Sequence, residues 1–222
     1  MSPRRLPLFP LDVVLFPGAP LPLHIFEERY RTMLADCLER DERFGLVPAE
    51  DNAQPSTGAV GCTAHIRATE RVADGRSNIV VVGESRFVLE QYLEEGLPYA
   101  VGSVNEFRDL PSPAATPDQL EELRRQGREY LEVLLVLNDA TPEAPEFAED
   151  AEALSFQVAA ALDLDLELKR RLLTLRSTAE RVTLLLRALP PLLTSLNERT
   201  RLHVRARSNG KGGRTFSIEV ET

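Results

Sequence analysis

Apolar positions divide the chain into two textures that meet near residues 109–117. Before that seam, short apolar runs are punctuated by proline and glycine, the pattern of strands and turns. After it, leucine recurs at helical spacing over long stretches. The first region predicts strands at 6–9 and 13–16, then a stretch where Leu21, Leu23 and Ile25 alternate with Pro22, His24 and Phe26. One helix follows, because Tyr30, Met33, Leu34, Cys37 and Leu38 share a face while Glu27 and Glu28 favour its N-terminal end. A long strand comes next, with Val60, Cys62, Ala64, Ile66 and Ala68 facing one way and Thr63, His65, Arg67 and Thr69 the other. Asp74 and Gly75 predict a hairpin turn, and 79–82 is apolar on both faces, as a central strand would be. Segments 86–91 and 99–107 form a further pair around Glu94, Glu95 and Gly96. Six or so short strands with one helix imply a compact, partly closed sheet.

The second region predicts about four helices, over 117–138, 147–162, 165–176 and 178–197. Thr116, Pro117 and Gln119 form a helix start with a capping box. Gly127 inside the first helix costs about 1 kcal/mol against alanine, so a close crossing or a bend is expected there. Pro190 and Pro191 should kink or split the last helix. Val182, Leu185, Leu186, Leu189, Leu192, Leu193 and Leu196 form a broad apolar stripe, the core face of a bundle. The tail returns to period two: Leu202, Val204 and Ala206, then Phe216, Ile218 and Val220 beyond a glycine-rich turn. A terminal hairpin over 199–222 is therefore expected, with His203 opposite Glu219 and Arg201 opposite Glu221. The fold class is α+β: a β-rich unit over 1–110, a helical bundle over 117–198 and the hairpin.

Composition narrows the function. An apolar fraction of 43% and a charged fraction of 27% are those of a globular protein. The formal charge of −9 opposes broad nucleic-acid binding. With only Cys37 and Cys62, no disulfide framework or four-cysteine zinc site is available, and a reducing, cytoplasmic setting is the simplest expectation. Pro7, Pro10 and Asp12 interrupt the apolar start, so neither a signal peptide nor a membrane span is expected.

Searches for chemistry give little. The run from Asn209 to Thr215 lacks the upstream glycine and the hydroxyl of a phosphate loop. The two lysines, Lys169 and Lys211, sit in a charged helix turn and a glycine turn, where neither can serve as the base of a serine–lysine dyad. Cys62 and His65 have half a zinc spacing, but a strand sends them to opposite faces. No catalytic residue, metal site or cofactor is expected.

The opening run Leu6-Pro-Leu-Phe-Pro-Leu-Asp-Val-Val-Leu-Phe-Pro-Gly-Ala-Pro-Leu-Pro-Leu-His-Ile-Phe-Glu-Glu-Arg-Tyr-Arg31 resembles the N-terminal, substrate-binding domain of Lon proteases, closest to the stand-alone bacterial members. Arg43-Phe-Gly-Leu-Val47, Gly58-Ala-Val-Gly-Cys-Thr-Ala64 and Gly83-Glu-Ser-Arg-Phe87 continue the likeness in order, which extends over about 5–197. The resemblance implies a pseudo-barrel lobe joined to a helical lobe, and a non-catalytic module that binds unfolded or tagged polypeptide or serves as an adaptor. Its partners would be polypeptide substrates or a protein such as a separate ATP-dependent protease, not nucleic acid or membrane. A small hydrolase with an unfamiliar site and an oligomer-forming structural protein are the alternatives. The expected binding surface is an apolar groove beside or between the lobes, around Phe16, Pro17, Phe26, Glu27, Glu28, Arg29 and Tyr30.

Overall fold

The computed structural model describes residues 3–49, 53–141 and 146–210. Strands β1 (Arg4–Leu11), β2 (Pro20–Ile25), β3 (Arg43–Pro48), β4 (Val60–Arg71), β5 (Ser77–Tyr92) and β6 (Val101–Glu106) form one sheet, with α1 (Glu28–Leu38) between β2 and β3. Four helices follow: α2 (Pro117–Leu137), α3 (Ala151–Ala161), α4 (Leu166–Thr174) and α5 (Thr178–Gly210).

The strand order is β2-β5-β4-β3-β1-β6, and β6 also pairs with β5. That last pairing closes β1, β3, β4, β5 and β6 into a ring and leaves β2 outside it. The length of β5 makes this possible: its first half pairs with β2, from Ser77 to Val82, and its second half with β6, from Phe87 to Tyr92. Gly75, at φ +83°, turns β4 into β5, a backbone conformation that favours glycine. Two cores lie on the sheet's opposite faces: one packs under α1, whose Tyr30, Met33, Leu34 and Cys37 meet Phe9, Phe44, Ile66 and Ile79, and the other gathers Leu6, Leu8, Val47, Phe87, Leu89 and Val104 from the strands of the ring. The face expected for this helix is the face it buries.

In the helical region, the Thr116–Gln119 capping box starts α2 as expected. Gly127 marks a close crossing: a Cβ there would lie 3.1 Å from Val158 and 3.2 Å from Phe147. The core of this region also takes in Phe16 and Ala19 from the β-rich part, so the two halves share apolar contacts.

Five expectations need correction. Residues 13–16 are not a strand, because Phe16 is drawn into the helical core and Pro17 forms only an isolated bridge to Gly83. Ala68 does not share a face with Ile66. The register shifts between them, so Ile66 stays buried while Ala68 turns outward opposite Val80. The stretch 79–82 is not covered on both faces: Ile79 and Val81 are buried, but Val80 is 38% exposed. The hairpin's first arm does not form, and Pro190 and Pro191 do not split the last helix, since α5 runs unbroken to Gly210. Burial of Leu189, Leu193 and Leu196 against the bundle carries the helix across the prolines. Leu202 and Val204 are 66% and 51% exposed on that helix, so their alternation served no sheet. The second arm, with Phe216, Ile218, Val220, Glu219 and Glu221, lies outside the described residues.

Candidate functional site

Beyond the register shift, the outer end of the β4–β5 ribbon leaves the ring and forms a three-stranded flap with β2. Its inner face is anchored: Leu21, Leu23, Ile79 and Val81 pack on the core. Its outer face carries two cross-strand rows. Pro22, Val80 and Ala68 make an apolar row, and His24, Asn78 and Glu70 a polar one. The polar row is tied together, with His24 Nδ1 2.8 Å from Asn78 Oδ1 and Asn78 Nδ2 donating to Glu70 at 3.2 Å. Phe26, 60% exposed, lies nearly parallel to the His24 ring at 6.0 Å. Between the rows opens a hollow of about 500 Å³. The register shift that turns Ala68 outward completes an apolar stripe here, and no described element covers it. Of the flap's two edges, one is the outer end of β4, beyond its pairing with β3, and the other is β2, where Pro20 and Pro22 can donate no backbone hydrogen bond to an added strand. Along β2, recognition therefore falls to the side chains of the face.

The residues expected to bind are dispersed. Phe16 is buried and stacks on Phe156 at 6.0 Å, and Tyr30 is buried against Phe9 at 4.2 Å. Neither ring offers surface to a partner. Arg29 pairs with Glu27 at 2.9 Å and lies 4.5 Å over the Tyr30 ring, so those groups answer one another. Pro17 borders a different cleft, between the sheet and α3. Phe26 alone joins the open face, with exposed Glu28 beginning the helix behind it.

That second cleft, about 500 Å³, is strongly charged, and its ions are already matched. Arg86 donates to Asp109 at 2.5 Å, and Arg181 donates to both Asp109 oxygens at 2.9 and 2.7 Å. Both guanidiniums lie against the Phe156 ring, at 5.0 and 4.3 Å, and Arg86 also donates to the carbonyls of Leu173 and Leu175. Burial alone would raise the Asp109 carboxyl. Hydrogen bonds from Arg181, Thr178 and Arg86, with the attraction of Arg181, outweigh that and hold it at about 2. This cluster ties β5 to α5 and α3. Sequence reading placed Asp109 at the start of a linker, and nothing local signals its two partners, which are distant in the chain.

Other chemistry is muted. Burial pushes the Cys37 and Cys62 thiols up to about 12, so both are protonated at neutral pH. His65 Nδ1 sits 2.8 Å from Glu84 Oε1, and Arg43 forks onto the same carboxylate at 2.7 and 2.9 Å, an arrangement that locks all three. Among the described residues, no three His, Cys, Asp or Glu side chains are grouped to hold a metal ion. None of the described helices is long and apolar enough to cross a membrane.

A ring-closed sheet with a helix under its flap, followed by a bundle, has known counterparts. The profile of the ATP-dependent protease La (LON) substrate-binding domain matches residues 5–190. The chain belongs to the Lon substrate-binding domain family. It is 24% identical over 217 residues to a Lon protease of Cytophaga hutchinsonii, covering 93% of this chain and 26% of that protein. Against a Lon protease of Rhizobium meliloti it is 28% identical over 186 residues, covering 79% and 23% respectively. The chain thus spans about a quarter of the length of these curated relatives. Among solved structures, the Lon N-terminal domain protein from Xanthomonas campestris superposes with a TM-score of 0.64 at 25% identity, covering 84% of this chain and 99% of that one. The N-terminal domain of a Mycobacterium avium complex Lon protease shares the fold, with a TM-score of 0.55 at 22% identity over 82% of this chain and 96% of its own.

Proposed function

We propose that this Lon-family module is non-catalytic and binds unfolded polypeptide on the open face of the flap. The observation that carries this reading is the uncovered apolar row Pro22, Val80 and Ala68 beside exposed Phe26, on a sheet whose other face is fixed in the core. A rigid apolar platform with a few polar groups at its margin suits extended chain of varied sequence, because side-chain burial supplies affinity without base-by-base or atom-by-atom readout. Family membership supports the same reading, since the matched unit is the substrate-binding part of Lon. In its relatives that unit makes up about a quarter of a protease. The natural recipient of a chain captured here is thus an ATP-dependent protease.

The test is fluorescence anisotropy of a labelled, permanently unfolded protein such as carboxymethylated casein. Phe26→Ser and Val80→Thr act on exposed side chains and leave the core intact. Each is expected to weaken binding about tenfold, the effect of removing one buried apolar anchor. Unchanged affinity in both variants, or no binding by the unaltered protein, contradicts the proposal.

A further inference from the structure

On the opposite side of the ribbon from the open face lies a second groove, of about 520 Å³, between α1 and the end of the β4–β5 hairpin. Its floor is apolar, built by Leu34, Ala35 and Leu38 of α1 with Val72 of the hairpin. Three arginines border it: Arg31, Arg71 and Arg76. Asp74 answers Arg76 at 2.6 Å. Arg31 and Arg71 are exposed, and their guanidiniums form no hydrogen bond or ion pair with any described residue. Glu28, the acid on the rim, pairs with neither. Arg31 is nonetheless positioned, because its guanidinium lies across the hairpin turn, where a Cβ on Gly75 would come within 2.3 Å of its Nη2.

We infer that this groove selects acidic segments of bound polypeptide, with Arg31 and Arg71 receiving carboxylates while the leucine floor takes neighbouring apolar side chains. The inference rests on the polypeptide-binding reading and adds a substrate class to it. A guanidinium presents a planar fork that matches a carboxylate, and two such forks without internal partners lose no existing bond when they accept one. The same positive pair would attract phosphate, but a chain of net charge −9 repels a polyanion over the rest of its surface. A short acidic stretch feels mainly the local pair. Thr69 borders both this groove and the hollow of the open face, so the two sites share one strand.

Two labelled peptides of about a dozen residues test this, identical in their leucine and phenylalanine positions. One carries Asp and Glu between them and the other Asn and Gln. The acidic peptide is expected to bind about tenfold more tightly at low salt, a margin that shrinks as ionic strength rises. Arg31→Gln with Arg71→Gln should erase the margin and leave the neutral peptide's affinity unchanged. Both positions are exposed, and far-UV circular dichroism verifies the fold. Equal binding of the two peptides by the unaltered protein overturns the inference and leaves polypeptide binding standing, as does a margin that survives in the double variant. Binding of neither peptide overturns both readings. A single-stranded oligonucleotide that displaces the acidic peptide at equal concentration, through the same arginines, reassigns the groove to nucleic acid and overturns the inference.

Discussion

Asp109 bridges two guanidiniums that water scarcely reaches: the Arg86 side chain, which also lies 3.5 Å from Glu152, is 2% exposed, and that of Arg181 is fully buried. Removing the acid strands Arg181 and leaves Arg86 only the more distant Glu152 carboxylate, and breaking a buried pair in this way costs about 3–5 kcal/mol. Asp109→Asn should show that loss in urea denaturation at pH 7. The carboxyl is held at about 2 in the folded protein against an ordinary 3.8, so its share of stability is complete above the ordinary value. It fades as pH falls from about 4 toward 2, and by linkage amounts to about 2 kcal/mol. The penalty of the Asn variant should therefore narrow across that window, and a gap independent of pH would contradict the assignment. None of this was legible beforehand. A single acid beside a proline-rich stretch carries no mark of partners at positions 86 and 181. Phe26 and Phe16 were both expected at the binding groove, and of the two Phe26 is exposed. Phe16, with the same chemistry ten residues earlier, was captured by Phe156 across the lobes.

Helix α5 holds two regimes along one axis. Leu189 is fully buried in the bundle, whereas Leu202, further along, is 66% exposed. Leu189→Ala should cost about 2–5 kcal/mol through lost burial and a cavity. Leu202→Ser should change stability by about 0.5 kcal/mol or less, and chemical denaturation of the two variants separates them. The wrong expectation of a hairpin at 199–222 has the same origin. Period two and period 3.6 cannot be told apart over a few residues when no face is buried, and a helix already running through the bundle continues by adding one hydrogen bond per residue. Where faces are buried, periodicity succeeded for α1, α2 and β6, which lie within a few residues of expectation, whereas the segments expected at 79–82 and 86–91 are one continuous strand, β5. The register shift next to Arg67 is the instructive exception. One extra residue turned Ala68 outward and created the flap's apolar row, and no alternation pattern announces a bulge.

The two halves of the molecule are joined by apolar stacking and by ions. Phe16 and Ala19 enter the helical core, Arg86 reaches the carbonyls of Leu173 and Leu175, and Arg176 donates to the Arg108 carbonyl at 2.7 Å. These contacts should make unfolding a single transition. In a Tyr130→Phe variant, whose remaining tyrosines Tyr30, Tyr92 and Tyr99 all lie in the β-rich part, the near-ultraviolet signal is expected to be lost together with far-ultraviolet loss of helix, and two separated midpoints would contradict this.

The central claim is that unfolded chain settles on the open face of the flap. Amide hydrogen exchange with and without saturating unfolded polypeptide tests it directly, because a docked chain slows exchange in the backbone beneath it. The account predicts added protection over residues 20–26 and 66–82, with α3 unchanged. Protection confined to the charged cleft at 106–109 and 150–157, or none at all, would contradict it.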